Sequence, residues 1–184
     1  MNAARVASWR SWTALALLAL SARLLAFAVI GPRHYAEHGY LYYEEMADNV
    51  LAGRGFHRTM PFGQGDKHAI RTPLYPLAIA GLKLLPGGTT GKVALLGALL
   101  GTASVLLSAH LARRTFGSRA GWIAGVVTAL WPHACVHDAA MQDTAMYSAL
   151  MLGCIALALR LRVALASRAA PWLAIGWGLL AALA

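Results

Sequence analysis

Residues 12–30 read WTALALLALSARLLAFAVI, an apolar run with one charge, Arg23, inside it. Arg5 and Arg10 precede the run and Gly31-Pro32 follows it. A helix needs about 20 apolar residues to cross a hydrocarbon core, and this stretch is of that length. The h-region of a cleaved signal peptide is a rival reading of Leu15–Leu20. The run continues past Arg23 to Ile30, however, and favours an uncleaved anchor. A charge at that depth costs about 2.5–3.5 kcal/mol on insertion scales and faces a bundle interior unless it snorkels to the interface.

The rest of the chain repeats the theme. Of 184 residues, 59% are hydrophobic and 12% charged, against about 25% charged in soluble domains. Further apolar runs cover 92–112, 120–136, 144–159 and 169–184, so the expected fold class is an all-α membrane protein. It would be a multi-pass transmembrane helix bundle with a first outer loop, 31–91, that carries interfacial helices. Leu74 to Leu85 is too short to span and is expected to lie in the interface or enter partway. Gly97, Gly101, Ala103, Ser104 and Ser108 suit close helix packing. The last run ends at Ala184 with no polar flank, which reads as the N-terminal part of a longer bundle.

Charge sets the expected orientation. Arg5, Arg10, Arg113, Arg114, Arg119, Arg160, Arg162 and Arg168 flank apolar runs in segments without any acid. All seven acids, Glu37, Glu44, Glu45, Asp48, Asp66, Asp138 and Asp143, lie in 31–91 or 133–143. The positive-inside rule then puts the N-terminus in the cytoplasm and the acidic loops outside the inner (plasma) membrane. The net charge of +9 is spread over these flanks instead of forming one patch, which argues against nucleic acid as a partner. Cys135 and Cys154 sit in apolar segments with no CxxC spacing and read as packing residues.

The polar chemistry concentrates in the outer loops. Tyr40 to Ala52 reads as an amphipathic helix, with Tyr43, Met46 and Val50 on one face and Glu44, Glu45, Asp48 and Asn49 on the rest. Gly53 and Gly55 stop it. Carboxylates there could act as a general base or hold a divalent metal ion, or they could form a plain solvated face. Arg71, between Lys67-His68 and the Pro73/Pro76 pair, suits a bidentate grip on a phosphate or simple anchoring to anionic lipid. His133 and His137, at i and i+4, would make half a metal site, with no third ligand set by spacing. Asp143 heads an apolar helix, where a carboxylate suits the helix dipole.

In order along the chain, Tyr43-x-x-x-Ala47-x-Asn49-x-Leu51-x-Gly53-x-Gly55-Phe56, Arg71-x-Pro73-Leu74-Tyr75-Pro76, Ala112-Arg113-Arg114-Thr115-Phe116-Gly117, Trp131-Pro132 and Gln142-Asp143-Thr144 resemble the GT-C superfamily of integral-membrane glycosyltransferases. The branch most similar is family 39, the dolichyl-phosphate-mannose-protein mannosyltransferases and their bacterial relatives. The resemblance implies a transferase that moves a sugar from a polyprenyl-phosphate donor to a lipid, glycan or protein acceptor at the outer face. It implies a catalytic acid in the first outer loop, with Glu37, Glu44 and Glu45 as candidates and Asp143 as a second acid. Arg71, Lys67, His68 and Tyr43 are the substrate-binding candidates. No cofactor is demanded beyond an optional divalent metal ion. The family's usual Asp, four residues before Tyr43, is replaced here by Gly39. Two other classes stay open, a small transporter subunit with Arg23 in its pathway and a non-catalytic membrane scaffold.

Overall fold

The computed structural model describes residues 3–37, 41–59, 66–68, 72–140, 142–164 and 170–183. The side chains of 3–10, 32–37, 41–42, 59, 66–68, 163–164, 170 and 183 lie outside that description. Eight helices and one two-stranded ribbon follow in the order α1 (Ala3–Glu37), α2 (Leu41–Leu51), β1 (His57–Thr59), β2 (Asp66–His68), α3 (Leu74–Lys83), α4 (Thr89–Phe116), α5 (Ser118–Leu130), α6 (Pro132–Ala139), α7 (Thr144–Ala164) and α8 (Ala170–Leu183). The protein is therefore mostly helical. The small antiparallel ribbon, with His57 opposite His68 and Arg58 opposite Lys67, departs from a purely all-α expectation.

Among the described residues, three helical stretches are long and apolar enough to cross a membrane, Ser11–Gly31, Thr89–Phe116 and Thr144–Arg162. At 1.5 Å per residue the first is about 31 Å long, matching a hydrocarbon core. It breaks where expected. Gly31 adopts φ 65°, a positive φ that glycine tolerates and regular helix does not, and a second helical piece of α1 continues from there to Glu37. The helix α3, with 10 residues, is only about 15 Å long. It lies against α2 and α4 with Tyr75, Pro76, Ile79 and Ala80 buried.

The apolar run over 120–136 is not one continuous helix. It divides into α5, of 13 residues, and α6, of 8, at Trp131. Pro132 is the cause. It has no N–H to give to the turn below, and its ring drives the preceding residue out of the helical region. Trp131 accordingly sits at φ −63°, ψ 110°. Pro132 then becomes the first residue of α6, where a missing N–H costs nothing. Alone, α5 is about 20 Å long, short of a full crossing. The 14-residue α8 is about 21 Å long by the same measure.

The centre of the molecule is α4, which packs against α1, α3, α5, α6 and α7. Its buried residues Val93, Gly97, Gly101, Val105 and Ala109 repeat every four positions, a single stripe along one face. Two apolar clusters occupy the ends of that stripe. At one end Val93 joins Tyr43, Ala47, Tyr75, Ile79, Ala80 and Met146. At the other, Val105 and Ala109 join Leu15, Ala19 and Ala129. Between them the two glycines leave a groove without side chains.

Candidate functional site

The glycine groove of α4 is filled by an ion pair. Arg23 comes from the middle of α1 and Asp138 from α6, and Arg23 Nε donates to Asp138 Oδ2 at 2.7 Å. Their side chains are 1% and 8% exposed, so the pair is shut off from solvent. The fit requires glycine. A Cβ on Gly97 would fall 1.9 Å from the Asp138 carbonyl oxygen, and one on Gly101 would fall 2.0 Å from Asp138 Oδ2 and 2.2 Å from Arg23 Nε.

The same guanidinium closes the helix break. A helix end inside an apolar bundle leaves carbonyls that must be satisfied within the protein. Arg23 Nη1 donates to Ala129 O at 3.4 Å and to Ala19 O at 3.1 Å. Cys135 Sγ donates to Ala129 O at 3.3 Å. A cation at the C-terminal end of α5 also suits its dipole. Arg23 thus faces the interior, the first of its two sequence readings. Its partner was not legible, because 115 residues separate the pair. The available signal was the cost of a lone buried charge, which demands a counter-ion without naming it.

The second polar group lies where α2, the ribbon and α3 meet. Lys83, at the end of α3, places Nζ 2.6 Å from Asp48 Oδ1 and 3.2 Å from Glu44 Oε1. Arg58 on β1 reaches Glu45 Oε2 at 3.2 Å. These side chains are partly exposed, with Glu45 at 41% and Glu44 at 31%. The candidate acids of α2 are thus engaged by basic residues on the neighbouring elements. Asn49 is buried and works on the backbone. Its Nδ2 donates to His57 O at 2.8 Å, and its Oδ1 accepts from Arg54 Nε at 2.9 Å. This ties the end of α2 across the Gly53-Arg54-Gly55 turn to β1.

Tyr43 is 2% exposed and meets Tyr75 edge-on, with ring centroids 5.0 Å apart and planes at 84°. It is part of the core under the polar group. Met146 of α7 belongs to the same cluster, so the start of α7 sits at the α2 end of the molecule. Asp143 there is half-buried, and its backbone oxygen accepts from Tyr147 N at 3.0 Å, the first turn of α7.

The other candidates are less defined. Glu37 ends α1, and its side chain lies outside the description. The backbone of Lys67 and His68 stands opposite Arg58 and His57 in the ribbon, and their side chains are likewise undescribed. Arg71 falls outside the described residues. Among the described residues, no three His, Cys, Asp or Glu side chains gather into a metal cluster. Asp138, adjacent in sequence to His137, turns to Arg23 instead.

Fold and site together define a mostly helical protein with three potential membrane-crossing helices, a buried ion pair at a helix break and an ion-paired polar cap at one end of the bundle. No protein-family model, curated protein or solved structure matches the chain.

Proposed function

We propose that the chain is a module of a multi-pass inner-membrane glycosyltransferase of the GT-C type. It would take a sugar from a polyprenyl-phosphate donor and pass it to an acceptor at the outer membrane face. The observation that carries the reading is the meeting of the first two signature-like segments. Tyr43 and Ala47 of the first pack with Tyr75 of the second in one core, while Asn49 braces the Gly53-Arg54-Gly55 turn. Residues that look like a signature in sequence thus also form one structural unit. The polar surface of that unit bears Glu44, Glu45 and Asp48, with Arg71 one residue before the described start of the second segment.

In this reading one of Glu37, Glu44 and Glu45 takes the proton from the acceptor hydroxyl as it attacks the sugar's anomeric carbon. The phosphate-linked lipid leaves, held by Arg71 with Lys67 or His68. Glu44 or Glu45 would have to part from Lys83 or Arg58 to accept that proton.

The test is sugar transfer in membranes supplied with a labelled polyprenyl-phosphate sugar, using the longest native form of the protein. Glu37→Gln, Glu44→Gln, Glu45→Gln and Arg71→Ala are compared with the wild type. At least one glutamate variant should fall by 10²-fold or more, the range of general-base contributions. Full transfer by all four would reject the assignment. A second reading, a non-catalytic membrane scaffold, is favoured by the engagement of Glu44 and Glu45 with Lys83 and Arg58. It predicts no transfer by the wild type either.

A further inference from the structure

Among the described residues, one pair of metal-ligating side chains is left outside the ion pair and the polar cap. We propose that His133 and His137 on α6 bind a divalent transition-metal ion through their imidazoles, with Gln142 orienting His137. The site stands independently of the transfer reaction proposed above.

The helix break creates the arrangement. Because Pro132 restarts the helix, His133 and His137 lie one turn apart on the same face of α6. Their ring centroids are 4.0 Å apart, with planes tilted by 42°. His133 is exposed and His137 half-buried, so the described protein does not cover the pair. Two imidazoles at this helical spacing are the pair that zinc-binding helices use.

The tautomer of His137 is set by its neighbour. Its Nδ1 lies against Gln142 Oε1. An amide oxygen only accepts hydrogen bonds, so this contact favours the tautomer with the proton on Nδ1, which leaves the Nε2 lone pair for a metal. Gln142 Oε1 also accepts from Thr144 Oγ1 at 3.2 Å, which holds the amide in place. A ligating histidine commonly has such a supporting acceptor on its other nitrogen. Imidazole nitrogen selects Zn²⁺, Cu²⁺ or Ni²⁺ over Mg²⁺ and Ca²⁺, which prefer oxygen. Nearby candidates are committed elsewhere, Asp138 to Arg23 and Cys135 to the Ala129 carbonyl. The protein therefore supplies two ligands, and water or an oxygen of an incoming ligand completes the shell.

The experiment is a Zn²⁺ titration of the chelator-stripped full chain in detergent, in competition with a chromophoric chelator. His34, His38, His57, His68 and His110 stay unchanged in every variant, so background binding cancels. His133→Ala, on an exposed position, and His137→Ala should each weaken one site at least tenfold. Gln142→Ala should weaken it several-fold, and Gln142→Glu should tighten it. Mg²⁺ at equal concentration should not displace the zinc. Wild-type stoichiometry and affinity in His133→Ala/His137→Ala, checked for helical content by circular dichroism, would overturn the proposal. An unchanged affinity in both Gln142 variants would remove its orienting role.

Discussion

Arg23 and Asp138 illustrate how a charge is kept inside an apolar bundle. Removing either member of a buried pair strands the other, a loss of about 3–5 kcal/mol, whereas replacing both with apolar residues of similar volume is near neutral or stabilising. Arg23→Ala or Asp138→Asn should therefore lower the thermal unfolding midpoint in detergent strongly. Arg23→Met/Asp138→Leu should recover most of it. Recovery falling well short would mean that the contacts of Arg23 to the Ala129 and Ala19 carbonyls carry more of the stability than the ion pair.

The glycines make a finer comparison at the same scale. A methyl group at Gly97 meets the backbone oxygen of Asp138 at 1.9 Å, while at Gly153 it meets only Leu180 Cδ1 at 4.0 Å. Backbone cannot swing aside as a side chain can, so Gly97→Ala should force α6 off α4 and destabilise by more than about 2 kcal/mol. Gly153→Ala should be neutral or slightly stabilising, since alanine is the better helix former by about 1 kcal/mol. Equal unfolding midpoints for the two variants would contradict the packing of α6 on the glycine groove.

Among the elements, α2 and α3 form a unit with an apolar underside and an ionic edge. The two should contribute unequally. Tyr43 is buried among Ala47, Tyr75 and Ile79, and truncating a large buried aromatic costs about 3–5 kcal/mol. The Lys83 pairs with Glu44 and Asp48 are partly exposed, and such bridges are worth about 0–1 kcal/mol. Tyr43→Ala should thus open the α2–α3 unit to limited proteolysis, while Lys83→Ala should barely change it. If Lys83→Ala proved the worse, the edge and not the core would hold the unit. The break between α5 and α6 belongs to this scale too. Proline begins it, and Arg23 and Cys135 donate to the Ala129 carbonyl left at the end of α5.

For the whole molecule, the arginine-flanked and acid-bearing segments define the expected threading through lipid. Single cysteines at Glu45 and Asp143, introduced after replacing the buried Cys135 and Cys154, should react with an impermeant thiol reagent from outside intact cells. A cysteine at Arg114 should react only after the membrane is opened. The reverse pattern would invert the topology and move the polar cap to the cytoplasmic side. The two ends of the α4 stripe would then change places while the packing stayed the same.

Local pattern was enough for much of this protein. The apolar run at 12–30 and its break at Gly31, the shortness of α3, and the burial of Tyr43 and Met46 on α2 follow from spacing, because helix period and glycine or proline chemistry act within a few residues. Val50 is only partly buried, and Asn49, read as part of the polar face, is buried because its amide ties down the following turn. The ribbon between 57 and 68 was hidden, since three-residue strands carry almost no periodic signal. Of the candidate site, Glu44, Glu45 and Asp143 could be named as acids on outward-reading segments, but the ionic partners of Glu44 and Glu45 could not. Which opposite charges meet, Arg23 with Asp138 or Lys83 with Glu44 and Asp48, depends on contacts between residues far apart in the chain. Only tertiary packing decides those, by bringing the glycines of α4 close enough to make room for a charge and leaving that charge one counter-ion within reach.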